Sequence, residues 1–278
     1  MRFATIRLTD SDTVSTRAVR VDGDVLVEVP GSADVGELLR GGGLGEAAHA
    51  DGATHALAEA VFAPLVTAPG KVICVGLNYR AHIAEMKRDM PEHPTLFTKF
   101  ADSLTGANDD IPIPPESELV DWEGELALVV GRSVRRARGV EAERAIAGYT
   151  IANDVSMRDW QYRTLQWLQG KAWSDSTPLG PVLVTPDEIP TTAQIVTRID
   201  GVEKQRGEVH DLVHGAVALV EYISTFSRLN PGDVILTGTP DGVGHARDPQ
   251  ESLEPGSVAE VEIDGIGVIR NRFVAEAL

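Results

Sequence analysis

Two glutamates separated by one glycine, Glu123-Gly124-Glu125 in the segment DWEGELALVVGR, are the first residues whose spacing suggests chemistry. In a strand, side chains two apart project from one face with Cα atoms about 7 Å apart, near enough for both carboxylates to converge on one cation. The glycine between them keeps the opposite face clear for close packing. An exposed acidic pair is the commonplace alternative. A third carboxylate shifts the balance: Asp154, in YTIANDVSMRDWQ, stands where an apolar run gives way to a polar cluster, a place where a strand delivers a side chain to a pocket. Three carboxylates with no histidine or cysteine beside them form a hard oxygen donor set, suited to Mg2+, Mn2+ or Ca2+ and poorly suited to Zn2+. Three ligands also leave coordination positions open for substrate and water.

The segment GLNYRAHIAEM, residues 76–86, places His82 and Glu85 three apart. In a helical turn they share a face, and the carboxylate can orient the imidazole and raise its basicity. A surface helical pair is the ordinary reading of such spacing; the flanking Gly76, Asn78 and Tyr79 suggest instead a tight loop that orders over a ligand as a lid. Lys99, Arg158, Gln161 and Lys171 lie among aromatic and small residues and are candidate clamps for a substrate carboxylate or a developing enolate. In PGDVILTGTPDGVG, a strand runs into a glycine-rich loop where the Thr239 hydroxyl and backbone N–H groups can receive an anion. That loop lacks the lysine of a P-loop, which argues against nucleotide binding.

The chain has 278 residues, enough for a full hydrophobic core, and its net charge of −17 comes from 42 acidic against 25 basic residues. Such a surface repels nucleic acid and anionic membranes, so neither is an expected partner. An anionic substrate must then be drawn in by local cations or a metal. Cys74, the single cysteine, excludes an internal disulfide and sits in the apolar run KVICVGL, as a buried structural thiol does. No apolar run has signal-peptide or membrane-span length, and a cytoplasmic soluble protein is expected.

The elements that must position these residues are mostly strands. MRFATIRL and VDGDVLVEV read as short strands joined by Asp/Gly turns, and residues 31–63, rich in Ala, Gly and Leu, as helix and loop. A Pro/Gly-punctuated connector near 64–71 suggests a boundary between a small N-terminal α/β domain, residues 1–68, and a larger domain, residues 69–278. In the latter ELALVV, YTIAND, PVLVT, IVTRID, DVILTG and VAEVEIDGIGVIRNRFV read as strands, Asp211–Phe226 as one helix and EAERAIA as a shorter one. The class is α+β, mainly β, and a mixed β sandwich or roll fits better than a doubly wound sheet.

Taken in order, GLNYRAHIAEM, DWEGELALVVGR, NDVSMRDWQ, GKAWSDSTPLGP and PGDVILTGTPDGVG resemble the fumarylacetoacetate hydrolase family, over roughly residues 70–275. The resemblance implies that family's mixed β roll, a homodimer, and a Mg2+ or Mn2+ ion held by Glu123, Glu125 and Asp154. It also implies a catalytic dyad of His82 and Glu85 on a lid. Lys171 and Gln161 match its substrate-contacting positions, and Arg158, Lys99 and Thr239 match more loosely. No acidic residue precedes the histidine in ICVGLN, so water or substrate would complete the metal shell. The short N-terminal part resembles the bacterial branch, which holds acylpyruvate hydrolases, oxaloacetate decarboxylases and hydroxyheptadienedioate isomerases. The activity expected first is metal-dependent hydrolysis of a C–C bond in a small anionic acylpyruvate. Decarboxylation or isomerisation on the same site is the alternative, and a non-catalytic oxo-acid binding module the reading from another class.

Overall fold

The apolar run from Gly124 to Val130 forms a strand in which every residue is buried, as expected of a strand covered on both faces. It lies between the antiparallel strands Ile146–Asn153 and Val234–Leu236, in the middle of a twelve-stranded mixed sheet. The computed structural model describes residues 1–10 and 13–277. A five-stranded sheet faces the larger one, and the protein is the mainly β, mixed-sheet α+β fold read from the sequence. Gly124 makes the close contact between sheets possible. A Cβ there would come 2.3 Å from Thr197 Oγ1 and 2.9 Å from Val261 Cγ1. Leu126, on the same face, packs in one core with Ile151, Ile195, Val261 and Ile263. Ala127 and Val129 point the other way, into a core with Phe3, Leu38, Cys74 and Leu236, and this alternation assigns Glu125 to their face.

The sheet and the core both cross the expected boundary near residue 68. The strand Arg2–Asp10 pairs with Thr177–Val184 through Phe3↔Leu183 and Ala4↔Val182. The helix Val35–Gly41, capped by the Asp34 carboxylate on Glu37 N–H, buries Val35, Leu38 and Leu39 among residues of both parts. Its cap is the Asp-before-apolar signal that starts helices.

Two helices are shorter than expected, for identifiable reasons. The helix expected over Asp211–Phe226 occupies Ala216–Phe226. The preceding residues give their backbone groups to the loop after Gly76: Val213 N–H donates to Asn78 O at 2.8 Å, His214 N–H donates to Asn78 Oδ1 at 2.8 Å, and Leu212 bridges Tyr79. EAERAIA is helical only within Val140–Glu143, because Ile146 already pairs with Val130 in the sheet. Cys74 is fully buried, and burial pushes its thiol well above the ordinary range, as befits a core residue. Among the described residues no helix is long and apolar enough to cross a membrane.

Candidate active site

Antiparallel pairing brings the three carboxylates together. Gly124 pairs with Asn153 and Glu125 with Ala152, and one step beyond the ladder Asp154 N–H donates to Glu123 O at 2.8 Å. Residues opposed across a ladder share a face, so Asp154 joins the face that Glu123 and Glu125 share by alternation. One ligand oxygen from each lies within 4.8 Å of the others. All three residues are buried. The backbone that carries them is held from behind: Glu123 N–H donates to Asn153 Oδ1 at 2.9 Å, and Gly124 N–H donates to Gln205 Oε1 at 3.0 Å. Gln205 comes from the five-stranded sheet and also donates to Thr239 Oγ1 and Pro240 O. It was not legible in the sequence, because a lone Gln in an otherwise polar strand carries no spacing signal.

Cations surround this floor. Lys171 Nζ donates to Glu123 Oε2 at 2.7 Å and to Asp154 Oδ2 at 2.8 Å. Arg158 pairs with Glu123 Oε1 and with Asp121 Oδ2, each at 2.7 Å, and donates to Gln161 Oε1 at 2.8 Å. Asp121, a residue the sequence did not single out, also accepts from the N–H groups of Gly244 and His245 and so fixes Arg158 against that loop. Burial pushes the Glu123 carboxyl up, but Lys171 and Arg158 outweigh it and hold it at about 2. Burial also opposes the Lys171 ammonium, yet Asp154 and Glu123 keep it well above the ordinary lysine range. Lys171 is therefore a fixed cation rather than a base.

Glu125 differs. Among the described residues its carboxylate accepts from Gly238 N–H alone, at 2.7 Å, and burial, together with the charges of Asp154 and Glu123, pushes its carboxyl well above the usual range. Asp154 Oδ1 is also left over: Lys99 Nζ lies 2.8 Å away, but off the hydrogen-bond direction, so this buried oxygen receives no directed bond. Two buried carboxyls with unfilled acceptor capacity, in an all-oxygen set, fit a hard divalent cation. Without one, holding Glu125 ionised costs several kcal/mol, because a charge is removed from water with the like charges of Asp154 and Glu123 beside it.

The roof of the site is the short helix Arg80–Glu85. His82 Nδ1 and Glu85 Oε2 are 3.0 Å apart, and Glu85 Oε1 accepts from Gly242 N–H at 2.9 Å. The helix follows Asn78, which is fully buried and donates to His214 O and Thr237 O while accepting from His214 N–H. His82, Glu123, Glu125, Arg158, Gln161, Lys171 and Thr239 all line one cavity of about 520 Å3. Gln161 uses its carbonyl on Arg158, which leaves its amide NH2 for the cavity. Thr239 lines the wall with its hydroxyl committed, donating to Gly124 O.

Lys99 stands beneath the carboxylates: it is 1% exposed, and its ammonium sits against Asp154 while donating to the carbonyls of Val155 and Lys171. The reason is register. Lys99 pairs with Val72 inside the sheet, so its side chain rises beneath the carboxylates rather than beside a substrate.

Comparison with known proteins gives the chain's kinship. Residues 71–274 match the family model described as fumarylacetoacetate (FAA) hydrolase C-terminal. The chain is 43% identical over 220 residues to the human protein named oxaloacetate tautomerase FAHD2A, mitochondrial, covering 78% of this chain and 70% of that one. The crystal structure of a putative HpcE protein from Mycobacterium smegmatis superposes with a TM-score of 0.89 at 33% identity, over the full length of both chains. That of 2-hydroxyhepta-2,4-diene-1,7-dioate isomerase from Mycobacterium marinum gives 0.78 at 30% identity, also over both full lengths. The strand-borne carboxylates, the His82 roof and these matches together show that the chain is an enzyme of the fumarylacetoacetate hydrolase family.

Proposed function

We propose that this enzyme moves a proton between carbon and oxygen in a small anionic oxo acid, as a tautomerase or isomerase, with Mg2+ or Mn2+ held by Glu123, Glu125 and Asp154. The observation that carries the reading is that His82, with Nδ1 held by Glu85, lines one cavity with Glu123 and Glu125, whose carboxylates group with that of Asp154. A divalent cation there would act as Lewis acid on the substrate carbonyl and acidify the neighbouring C–H. His82 Nε2 takes that proton from carbon and returns it to the carbonyl oxygen, so no atom is lost. Glu85 holds the ring and stabilises its charged form. Lys171 and the Gln161 amide face the oxygen on which negative charge develops, while Arg158, engaged by Asp121 and Glu123, holds Glu123 in place.

Hydrolysis of an acylpyruvate, the activity the sequence puts first, uses the same groups with a water as the second reactant. The kinship to an oxaloacetate tautomerase and a dioate isomerase favours proton transfer over it. The homodimer implied by the resemblance is part of the same proposal, and sedimentation of the purified chain reads it. The deciding experiment follows keto–enol interconversion of oxaloacetate, its decarboxylation and the cleavage of acetylpyruvate, each with Mg2+ and with a chelator. Chelator-sensitive interconversion that outpaces both other reactions is expected. Cleavage without interconversion would restore the hydrolase, and tight binding without any turnover would leave a binding module.

A further inference from the structure

We infer that Trp167 is a specificity-determining residue: with Phe97 it forms an aromatic wall for an apolar chain, so the oxo acids this site prefers carry an alkyl or alkenyl segment beyond the oxo-acid head; this rests on the oxo-acid site proposed above and deepens it. Trp167 and Phe97 both line the cavity. Their rings meet edge to face, with centroids 5.5 Å apart at 64°, a favoured geometry for an aromatic pair. The Lys171 ammonium stands 5.1 Å from the Phe97 centroid. Burial falls along this line: Lys171 is buried, Phe97 and Trp167 are half-buried, and Leu165, which also lines the cavity, is 98% exposed. A chain that leaves the oxygen-bearing carbon at Lys171 and runs toward the mouth therefore passes Phe97 first and Trp167 next.

Spacing and register fix the wall. Trp167 has helical backbone angles and immediately precedes the turn Leu168–Lys171, so Trp167 and Lys171, four apart, lie on one face. On the adjoining strands Cys74 pairs with Phe97 and Gly76 with Thr95, and the indole fills the place a side chain would take at Gly76: a Cβ there would come 2.4 Å from Trp167 Cζ3. The other three tryptophans give their indole N–H to a backbone carbonyl, Trp122 to Gly242, Trp160 to Glu116 and Trp173 to Gln169. Among the described residues the Trp167 indole has no such acceptor, so its seat is set by apolar contact rather than by a polar bond. A cavity of about 520 Å3 is of the size that takes ligands well beyond a four-carbon acid.

The test measures, by calorimetry on the Mn2+-loaded protein, the affinities of the unbranched 2-oxo acids from 2-oxobutanoate to 2-oxoheptanoate, which share one head and lengthen by one methylene at a time. None is a β-oxo acid, so binding is read without decarboxylation. Wild-type affinity should rise about threefold per methylene, close to the worth of one CH2 taken out of water. Trp167→Ala should flatten the series, with the affinities for 2-oxobutanoate and for Mn2+ each changed less than about twofold, and Trp167→Phe should fall between the two. A rise in Trp167→Ala more than about half as steep as in wild type overturns the inference, as does a flat series in wild type, while the oxo-acid reading survives either result because the heads still bind. If the alanine variant does not fold, an undiminished rise in Trp167→Phe overturns it instead. Binding of none of the acids to wild type overturns both.

Discussion

Glu123, Glu125 and Asp154 sit at the ends of two paired central strands, and their backbone is held by Asn153 and Gln205. His82 and Glu85 face the same cavity from a six-residue helix that belongs to no sheet and hangs on Asn78, Gly242 and the residues before Ala216. The carboxylate floor is thus part of the central sheet, whereas the roof depends on a few side-chain contacts. Opening of the roof should cost less free energy than any motion of the floor. A site of this kind can admit substrate by moving the base while its charges stay fixed.

The sharpest way to break the floor is to remove a ligand. Glu123→Ala, Glu125→Ala or Asp154→Ala should each lower activity by more than about 10³-fold with the fold retained, since one of three anionic ligands is lost. Calorimetry with Mn2+ reads the loss; unchanged cation affinity in all three variants would remove the site. Glu125→Gln carries an added sign. The metal-free variant should melt a few degrees higher than wild type, about 1–2 kcal/mol, because a buried acid without a cationic partner is replaced by a neutral amide.

Removing the base breaks the roof alone. His82→Ala should reduce kcat by about 10² to 10⁴ and leave cation affinity within about twofold. Glu85→Gln should cost less, since an amide still bonds the ring and only its charge is gone. Near-wild-type rates for both would reduce the pair to a surface contact and leave a reaction run by the floor.

A milder pair of changes separates the regions through their supports. Asn78→Ala leaves buried partners at His214 and Thr237 unsatisfied, at about 1–3 kcal/mol, and should speed hydrogen exchange across 80–85 while Mn2+ affinity holds. Gln205→Leu should do the reverse, weakening Mn2+ about tenfold through Gly124 without loosening the roof. If both variants move both readouts equally, floor and roof are one unit and the distinction fails.

The smallest effect lies outside both regions. Arg7 and Asp109 pair at 2.6 Å; burial pushes the Asp109 carboxyl up, but Arg7, Gly106 and Thr105 outweigh it and hold it below its ordinary value. A depressed carboxyl contributes stability above its unfolded pKa of about 3.9 and loses it as pH falls through the folded value. Asp109→Asn should therefore cost about 0.5–1 kcal/mol at pH 6, a figure held down by solvent screening. The difference should fade below about pH 4, with cation binding and activity at neutral pH unaltered. Urea melts at both pH values check it.

The floor was legible because strand alternation is a two-residue rule: Glu123 and Glu125 had to share a face, and the apolar runs around them had to be strands. Asp154 joined them on its position at the end of such a run. The dyad was legible as an i,i+3 pair, but its placement over the floor was not, since it depends on Asn78 reaching His214 and Thr237 across more than a hundred residues. Lys99 shows the limit most plainly: its type suggested a substrate clamp, and only the pairing with Val72 put it under Asp154. The shortened helix before Phe226 and the sheet that runs through residue 68 have the same origin, because backbone groups of one segment were claimed by another. By itself the sequence determined which residues can bear charge, turn the chain or alternate across a strand, since those are properties of a few neighbours. The tertiary structure alone decided which cation meets which carboxylate, which lysine faces the cavity and how the roof is hung, because such choices follow from contacts between distant segments that no local spacing encodes.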